Sequence, residues 1–142
     1  MAGRPAARQF EDLQIWRGAY ELALQVYDVT AAFPLHADAE LRGQLRRAAA
    51  AIGAHIADGF GRFSRHEYLR ALHNARGALM QTRHFVRLAD GLAYLPPGEA
   101  ERIVAAISRL NAQLYRVVNA HREDSSLVAP REVGREPSGL DN

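Results

Sequence analysis

Four long stretches of the chain have apolar residues spaced three or four positions apart, as on one face of an α-helix. The first stretch runs from about Asp12 to Ala32 and ends before Pro34, which disfavours helical backbone in the residue that precedes it. The second begins near Asp38, a residue type suited to cap a helix. Its apolar face carries Leu41, Leu45, Ala48, Ile52 and Ile56.

Cap and turn residues set the limits of the last two helices. Ser64 followed by Glu67 predicts a capping box at the start of the third helix, which is expected to run to about Leu92. The fourth follows the segment YLPPGEAER, with Pro97 suited to the first turn, and continues to about Arg122.

Long helices joined by short connections predict an all-α fold, an antiparallel up-down-up-down four-helix bundle over residues 10–122. Residues 123–142 have turn formers and charges but no periodicity, so they are predicted to form a mobile tail.

The glycine-rich segment HIADGFGRFSRHEY, from His55 to Tyr68, lies between the second and third helices. It lacks the Gly-Lys-Ser/Thr of a phosphate-binding loop and the G-x-G-x-x-G of a dinucleotide site. Gly59 and Gly61 are expected to end one helix in the left-handed conformation, and Ser64 to start the next. The segment is therefore predicted to be a turn between helices.

The first helix has two apolar faces, whereas a bundle helix needs only one buried stripe. The second face is covered either by the rest of the chain or by another subunit, and we expect a homo-oligomer. The residues expected at the subunit interface are Ile15, Ala19, Leu22 and Val26.

Positive charge is concentrated in the middle of the chain. All 18 basic residues are arginine, and the segment from Arg42 to Arg87 has nine arginines against two acidic residues, a net charge of +7. Such a surface is suited to phosphate contacts with nucleic acid, although a solvated face or a site for an acidic protein is the alternative. The candidate nucleic-acid-binding residues are Arg42, Arg46, Arg47, Arg62, Arg65, Arg70, Arg76, Arg83 and Arg87. On the fourth helix, Arg102, Arg109 and Arg116 form a further stripe.

Other chemistries find little support in the sequence. The absence of cysteine excludes disulfides and thiolate sites. The histidines of the third helix lack the spacing of metal ligands, so no metal or cofactor is expected. His55 and Asp58 are spaced for a hydrogen bond but have no nucleophile nearby, and we expect no enzymatic activity. No apolar run is long enough to cross a membrane, and a cytoplasmic protein is expected.

Three stretches resemble a bacterial family, the 23S rRNA intervening-sequence proteins, also called S23 ribosomal proteins. They are FEDLQIWRGAYELALQVYDVTAAFP (Phe10–Pro34), LRGQLRRAAAAIGAHIADGFGRFSRHEYLRALHNARGAL (Leu41–Leu79) and LADGLAYL (Leu88–Leu95). The most specific match is L-x-x-Q-L-R-R-A from Leu41 to Ala48, followed by the G-x-G-R turn.

The resemblance implies an antiparallel four-helix bundle that assembles as a homopentamer and has no established enzymatic activity. A related protein, the accessory variability protein of diversity-generating retroelements, binds structured RNA and a reverse transcriptase through a basic surface. By this similarity, the residues implied in binding are Arg42, Arg46, Arg47, Arg62 and Arg65.

The chain departs from the family pattern at polar positions of the second and third helices. Ala51, His55 and Asp58 stand where Ser, Asn and Glu are usual, and Ala78 and Gln81 replace Ser and Glu. Any polar site that these positions form in the family is therefore modified or lost in this chain.

Two functions remain open at this stage: an RNA- or DNA-binding accessory protein, and a scaffold whose basic face binds a protein partner such as a reverse transcriptase. A metal-dependent or small-molecule bundle enzyme is the least favoured alternative.

Overall fold

A computed structural model describes residues 6–126 of the chain, with side chains as far as Arg122. This part contains one short 3-10 turn and four α-helices and has no strand, which confirms the all-α class. The turn spans Phe10–Asp12, and the helices are α1 (Gln14–Ala31), α2 (Ala39–Phe60), α3 (Arg65–Gly91) and α4 (Glu99–Ser126).

The four helices pack in a closed ring, in which α1 contacts α2, α2 contacts α3, α3 contacts α4 and α4 contacts α1. Side-chain contacts join the end of one helix to the start of another: Arg87 binds Glu101 across α3 and α4, and the rings of Tyr68 and His121 lie 5.2 Å apart. This is the contact pattern expected of antiparallel neighbours. The ring of contacts confirms a four-helix bundle.

Each helix buries one apolar stripe along the axis of the ring. Full burial of such a side chain contributes about 1.5–3 kcal/mol. The largest fully buried aliphatic residues are Leu22, Val26, Leu45, Ile52, Ile56, Leu72, Leu79, Val86, Ile103, Ile107 and Leu114. On α2, α3 and α4 the core therefore consists of the periodic positions that the sequence pattern indicates.

The predicted assignment of the two faces of α1 is wrong. Ile15, Ala19, Leu22 and Val26 are at most 2% exposed and lie in the core of the chain itself, so they do not form a subunit interface. The opposite face is the exposed one, and its large side chains are Tyr20, Leu24 and Tyr27. Both faces are apolar, so the sequence pattern alone could not separate them.

The capping residues predicted at the starts of α2 and α3 are confirmed, whereas the predicted limits of α4 differ from the structure. The Asp38 carboxylate accepts the Glu40 amide at 2.8 Å, and the Ser64 hydroxyl accepts the Glu67 amide at 3.3 Å. Pro97 lies ahead of α4 and not in its first turn, because Gly98 adopts a left-handed φ of 87° before the helix begins at Glu99. The helix also continues past the predicted limit, to Ser126, and the rest of the predicted tail lies outside the described residues.

The glycines at the α2–α3 turn act through close packing. Gly61 has a φ of −74°, so the expected left-handed helix end is wrong. Gly59 is buried inside α2, and a Cβ added there would lie 2.6 Å from the Cβ of Ala71. Glycine is therefore required where α2 approaches the start of α3.

The substitution Gly59→Ala is expected to lower the free energy of unfolding by about 1–3 kcal/mol, because overpacking forces α2 away from α3. Gly77→Ala is the matched control. A Cβ at Gly77 meets nothing within 4 Å, so this exposed helical position should gain about 0.5–1 kcal/mol. Denaturant unfolding of both variants checks the pair. Equal effects would show that α2 and α3 are not constrained at Gly59.

Candidate nucleic-acid interface

The nine candidate arginines do not form one surface. Arg46 contacts α1 through Thr30, whereas Arg76 and Arg87 contact α4 through Asn111 and Glu101. The ring of helices therefore distributes the predicted basic region over several sides. Arginines that are near in sequence belong to different helix pairs.

Arg46 is held by contacts within the chain. Its Nε donates to the Thr30 hydroxyl at 2.8 Å, its guanidinium lies 4.8 Å from the centre of the Tyr27 ring, and a terminal nitrogen donates to the Tyr27 carbonyl at 3.4 Å. Thr30 is fully buried and donates in turn to the Val26 carbonyl at 2.7 Å. Arg46 thus stabilises the α1–α2 contact, and binding phosphate would require it to leave these partners.

Arg42 is similarly engaged with the end of α1. Its guanidinium lies 5.8 Å from the centre of the Phe33 ring. Its Nε is buried and has no hydrogen-bond acceptor within the described part of the chain. This placement fits a packing role better than a phosphate contact.

The remaining candidates are exposed, and two of them pair with carboxylates. Arg62 donates to Asp58 at 3.2 Å, and Arg87 donates to Glu101 at 2.7 Å. Exposed pairs of this kind contribute at most about 1 kcal/mol, so either arginine can exchange its partner. The exposed candidates for which residues 6–122 provide no ion pair are Arg47, Arg65, Arg70, Arg76 and Arg83.

A groove of about 550 Å³ between α3 and α4 gathers basic, amide and aromatic side chains. Arg76 is its only member from the predicted set, and its Nε donates to the Asn111 amide oxygen at 3.1 Å. No carboxylate lies among the described lining residues. We call this the α3–α4 groove, and its lining is Leu72, His73, Arg76, Ser108, Asn111, Ala112, Leu114, Tyr115, Arg116, Val118, Asn119 and Arg122.

Two smaller depressions lie near one end of the bundle and share lining residues with each other, and one of them shares Arg116 with the α3–α4 groove. Arg116 also lines a depression that includes Tyr68 and His121, and these two residues line another one together with Arg62 and Arg65. Burial raises the pKa of the Tyr68 phenol, which therefore stays protonated at neutral pH. Arginines from three elements thus border one end of the bundle.

Tyr115, Arg116 and Arg122 line the groove but are not among the binding residues that the sequence predicts. The sequence places Arg116 only in a stripe with Arg102 and Arg109. In the structure Arg102 pairs with Glu99 at 3.3 Å, while Arg116 lines the groove. The seven-residue spacing places these three arginines on one side of α4. It does not indicate which helix packs beside that side.

A second groove, of about 300 Å³, lies between α1 and α2 and is almost wholly apolar. Its α1 side is aromatic: the Phe10 and Trp16 rings lie 5.1 Å apart, and Trp16 stacks on Tyr20 at the same distance. Its α2 side is made of small residues. We call it the α1–α2 groove, and these small residues are Ala49, Ala50, Gly53, Ala54 and Ala57.

The positions that differ from the family pattern do not form a polar cluster. Ala78 is buried in the core, Gln81 is exposed, and Asp58 accepts its hydrogen bond from Arg62 and not from His55 as expected. Within the described residues, no group of three or more His, Asp or Glu side chains is placed to hold a metal ion. No helix in this part is long and apolar enough to span a membrane.

The fold and its two grooves define a small helical bundle with one basic and one apolar surface. The chain belongs to the 23S rRNA-intervening sequence protein family, whose sequence model matches residues 11–116. It is similar in fold to a protein of unknown function from the S23 ribosomal protein family of Bacteroides thetaiotaomicron VPI-5482. The two share 18% sequence identity and superpose with a TM-score of 0.68, covering 73% of this chain and 97% of the other. No curated protein matches the sequence.

The substitution Arg46→Ala is expected to lower the free energy of unfolding by about 1–2 kcal/mol, because it removes a hydrogen bond to a buried hydroxyl and a cation–π contact. Arg47→Ala is the control, since this neighbour is exposed and should change stability by less than about 0.5 kcal/mol. Urea unfolding of both proteins makes the comparison. Equal stability of the two variants would contradict the packing role of Arg46.

Proposed function

We propose that this protein is a non-enzymatic, homo-oligomeric four-helix bundle that binds structured RNA or other nucleic acid through the α3–α4 groove. The observation that carries the proposal is the composition of the groove: Arg76 and Arg116 line it, and its described lining residues include no carboxylate. Arginine presents several N–H donors in a planar fork that matches phosphate oxygens. Clustered arginines without acidic partners are therefore suited to a polyanion.

The adjoining depressions support an extended ligand. Arg116 is shared between the groove and its neighbour, and Arg62 and Arg65 border the next depression. A nucleic-acid backbone presents phosphates at regular intervals. Several basic sites in a row can therefore bind several of its phosphates, whereas a single site binds one. Contacts of this kind position the ligand but do not select its sequence.

The oligomer is proposed to form through the α1–α2 groove and the exposed face of α1 beside it. Tyr20 and Leu24 are about half exposed, at 50% and 53%, although they are large apolar side chains. Their neighbour is a groove of small residues on α2, into which side chains of this size can pack. A ridge on one subunit that enters the groove of the next makes a head-to-tail contact, and such contacts form a ring when the rotation between subunits closes. The family resemblance predicts five subunits.

The substitutions Arg76→Ala and Arg116→Ala are each expected to weaken binding of a structured RNA about tenfold, the loss of one charge-assisted contact. Each should also lower the slope of log affinity against log salt by about one. Anisotropy titrations at about 50 and 200 mM salt measure both quantities. Arg102→Ala is the control, because Arg102 pairs with Glu99 at the start of α4 and lies outside the groove lining.

Other outcomes of this titration would change the assignment. Absence of RNA and DNA binding at low salt would refute the proposal and leave a scaffold whose basic groove binds an acidic protein, such as a reverse transcriptase. Equal losses in the Arg102 variant would show that binding follows total charge and has no defined site.

The substitution Leu24→Asp is expected to convert the oligomer to a folded monomer, because it places a charge in the proposed subunit contact. Leu88→Asp changes a comparably exposed leucine on α3 and should leave the oligomer intact. Light scattering gives the subunit number, and circular dichroism checks that both variants remain helical. If Leu24→Asp assembles like the parent protein, the proposed interface is wrong.

A further inference from the structure

The α3–α4 groove has a basic rim and an apolar floor. The apolar side chains of the floor cannot form hydrogen bonds or ion pairs with a phosphate. Leu72 and Leu114 are each 1% exposed, and Val118 lies beside them in the lining. Most of the surface that the groove exposes is also apolar, and a ligand that carries only charge would leave this surface uncovered. The groove therefore fits a ligand with two parts, one anionic and one flat and apolar.

One aromatic side chain stands at the groove and is available for stacking. Tyr115 is 67% exposed although it is a large aromatic residue on a well-packed helix. Exposed aromatic rings beside arginines are the arrangement on which proteins stack unpaired bases, because every base has a π-face. Arg116 follows Tyr115 in sequence and also lines the groove, so one segment of α4 supplies both a stacking surface and a charge.

Amide groups complete the polar part of the groove. The amide oxygen of Asn111 is occupied by the Nε of Arg76, which leaves its NH₂ group as the donor toward the groove. Asn119 and Ser108 add a second amide and a hydroxyl to the same lining. Groups of this kind form hydrogen bonds with the edges of a base once the base has left its stack.

The size of the groove fits one nucleotide unit. Sites that bury a small molecule span about 300–1,000 Å³, and this groove has about 550 Å³. A continuous duplex cannot enter a space of this volume, whereas one looped-out nucleotide can. The phosphates on either side of that nucleotide would then meet the arginines at the rim.

We propose that the α3–α4 groove receives an unpaired nucleotide of an RNA, with its base stacked on Tyr115 over the apolar floor and its flanking phosphates bound by Arg76 and Arg116. This inference rests on the proposed function and adds a preference for unpaired over paired nucleotides. It assigns to Tyr115 a role in the preference and to the arginines a role in overall affinity.

The test uses the full-length protein and three labelled RNAs: a continuous duplex, the same duplex with one looped-out adenosine, and a third with an abasic nucleotide at that position. We expect the looped-out adenosine to bind about 5- to 150-fold more tightly than the other two, the range that base stacking on an aromatic side chain provides. The abasic RNA separates stacking of the base from flexibility of the backbone.

Two variants test whether Tyr115 causes the preference for the looped-out adenosine. Tyr115→Ala should remove it and leave duplex affinity and salt dependence unchanged, whereas Tyr115→Phe should keep it because the ring remains. Phe63→Ala is the comparison: Phe63 is a fully exposed aromatic residue outside the α3–α4 groove that lines the neighbouring depression with Arg62 and Arg65, so this variant tests whether the preference arises there instead. Circular dichroism verifies that each variant is folded.

Each result decides between the two proposals. Equal, salt-dependent affinity for all three RNAs would overturn this inference and leave nucleic-acid binding by the arginines standing. No binding to any of the RNAs at low salt would overturn both. Loss of the preference in Phe63→Ala but not in Tyr115→Ala would overturn the assignment to the groove.

Discussion

The close approach of α2 and α3 is the constraint on which the surfaces of this bundle depend. These two helices make the most extensive contact of any pair in the described part of the chain. At their shared end the buried Gly59 leaves no room for a side chain against Ala71 and Tyr68. This contact sets the position of α3. In that position Tyr68 lies near His121 of α4, and the outer stripe of α3 faces solvent. The α3–α4 groove follows from that placement.

The arginines of the middle segment serve two different purposes. Arg46 and Arg42 bind the end of α1 through the Thr30 hydroxyl and the faces of Tyr27 and Phe33. A guanidinium held by a buried hydroxyl and an aromatic ring still adds to the positive potential, but it cannot turn toward a phosphate without losing those contacts. Arg76 and Arg116 remain in position to meet a ligand. Charge concentration in the sequence thus overstated how many arginines one surface can offer.

The two grooves lie on opposite edges of the ring, because one is built from α1 and α2 and the other from α3 and α4. Their chemistry differs accordingly. Aromatic residues against small residues favour packing with another apolar surface, whereas arginines over an apolar floor favour an anionic ligand with a flat part. An oligomer that uses the α1–α2 edge leaves the α3–α4 edge accessible in every subunit. Assembly and ligand binding can therefore coexist in the same particle.

The sequence by itself determined the helices and the core positions of α2, α3 and α4, since helical periodicity and the caps at Asp38 and Ser64 depend on near neighbours only. It did not determine which face of α1 is buried, because both faces are apolar and the choice is made by packing against α2 and α4. It also did not determine which arginines share a surface. Arg76 and Arg116 are distant in sequence and line the same groove, while Arg46 and Arg47 are adjacent and differ in role. Only the packing of the helices decides such relations, because it brings together residues that no local pattern connects.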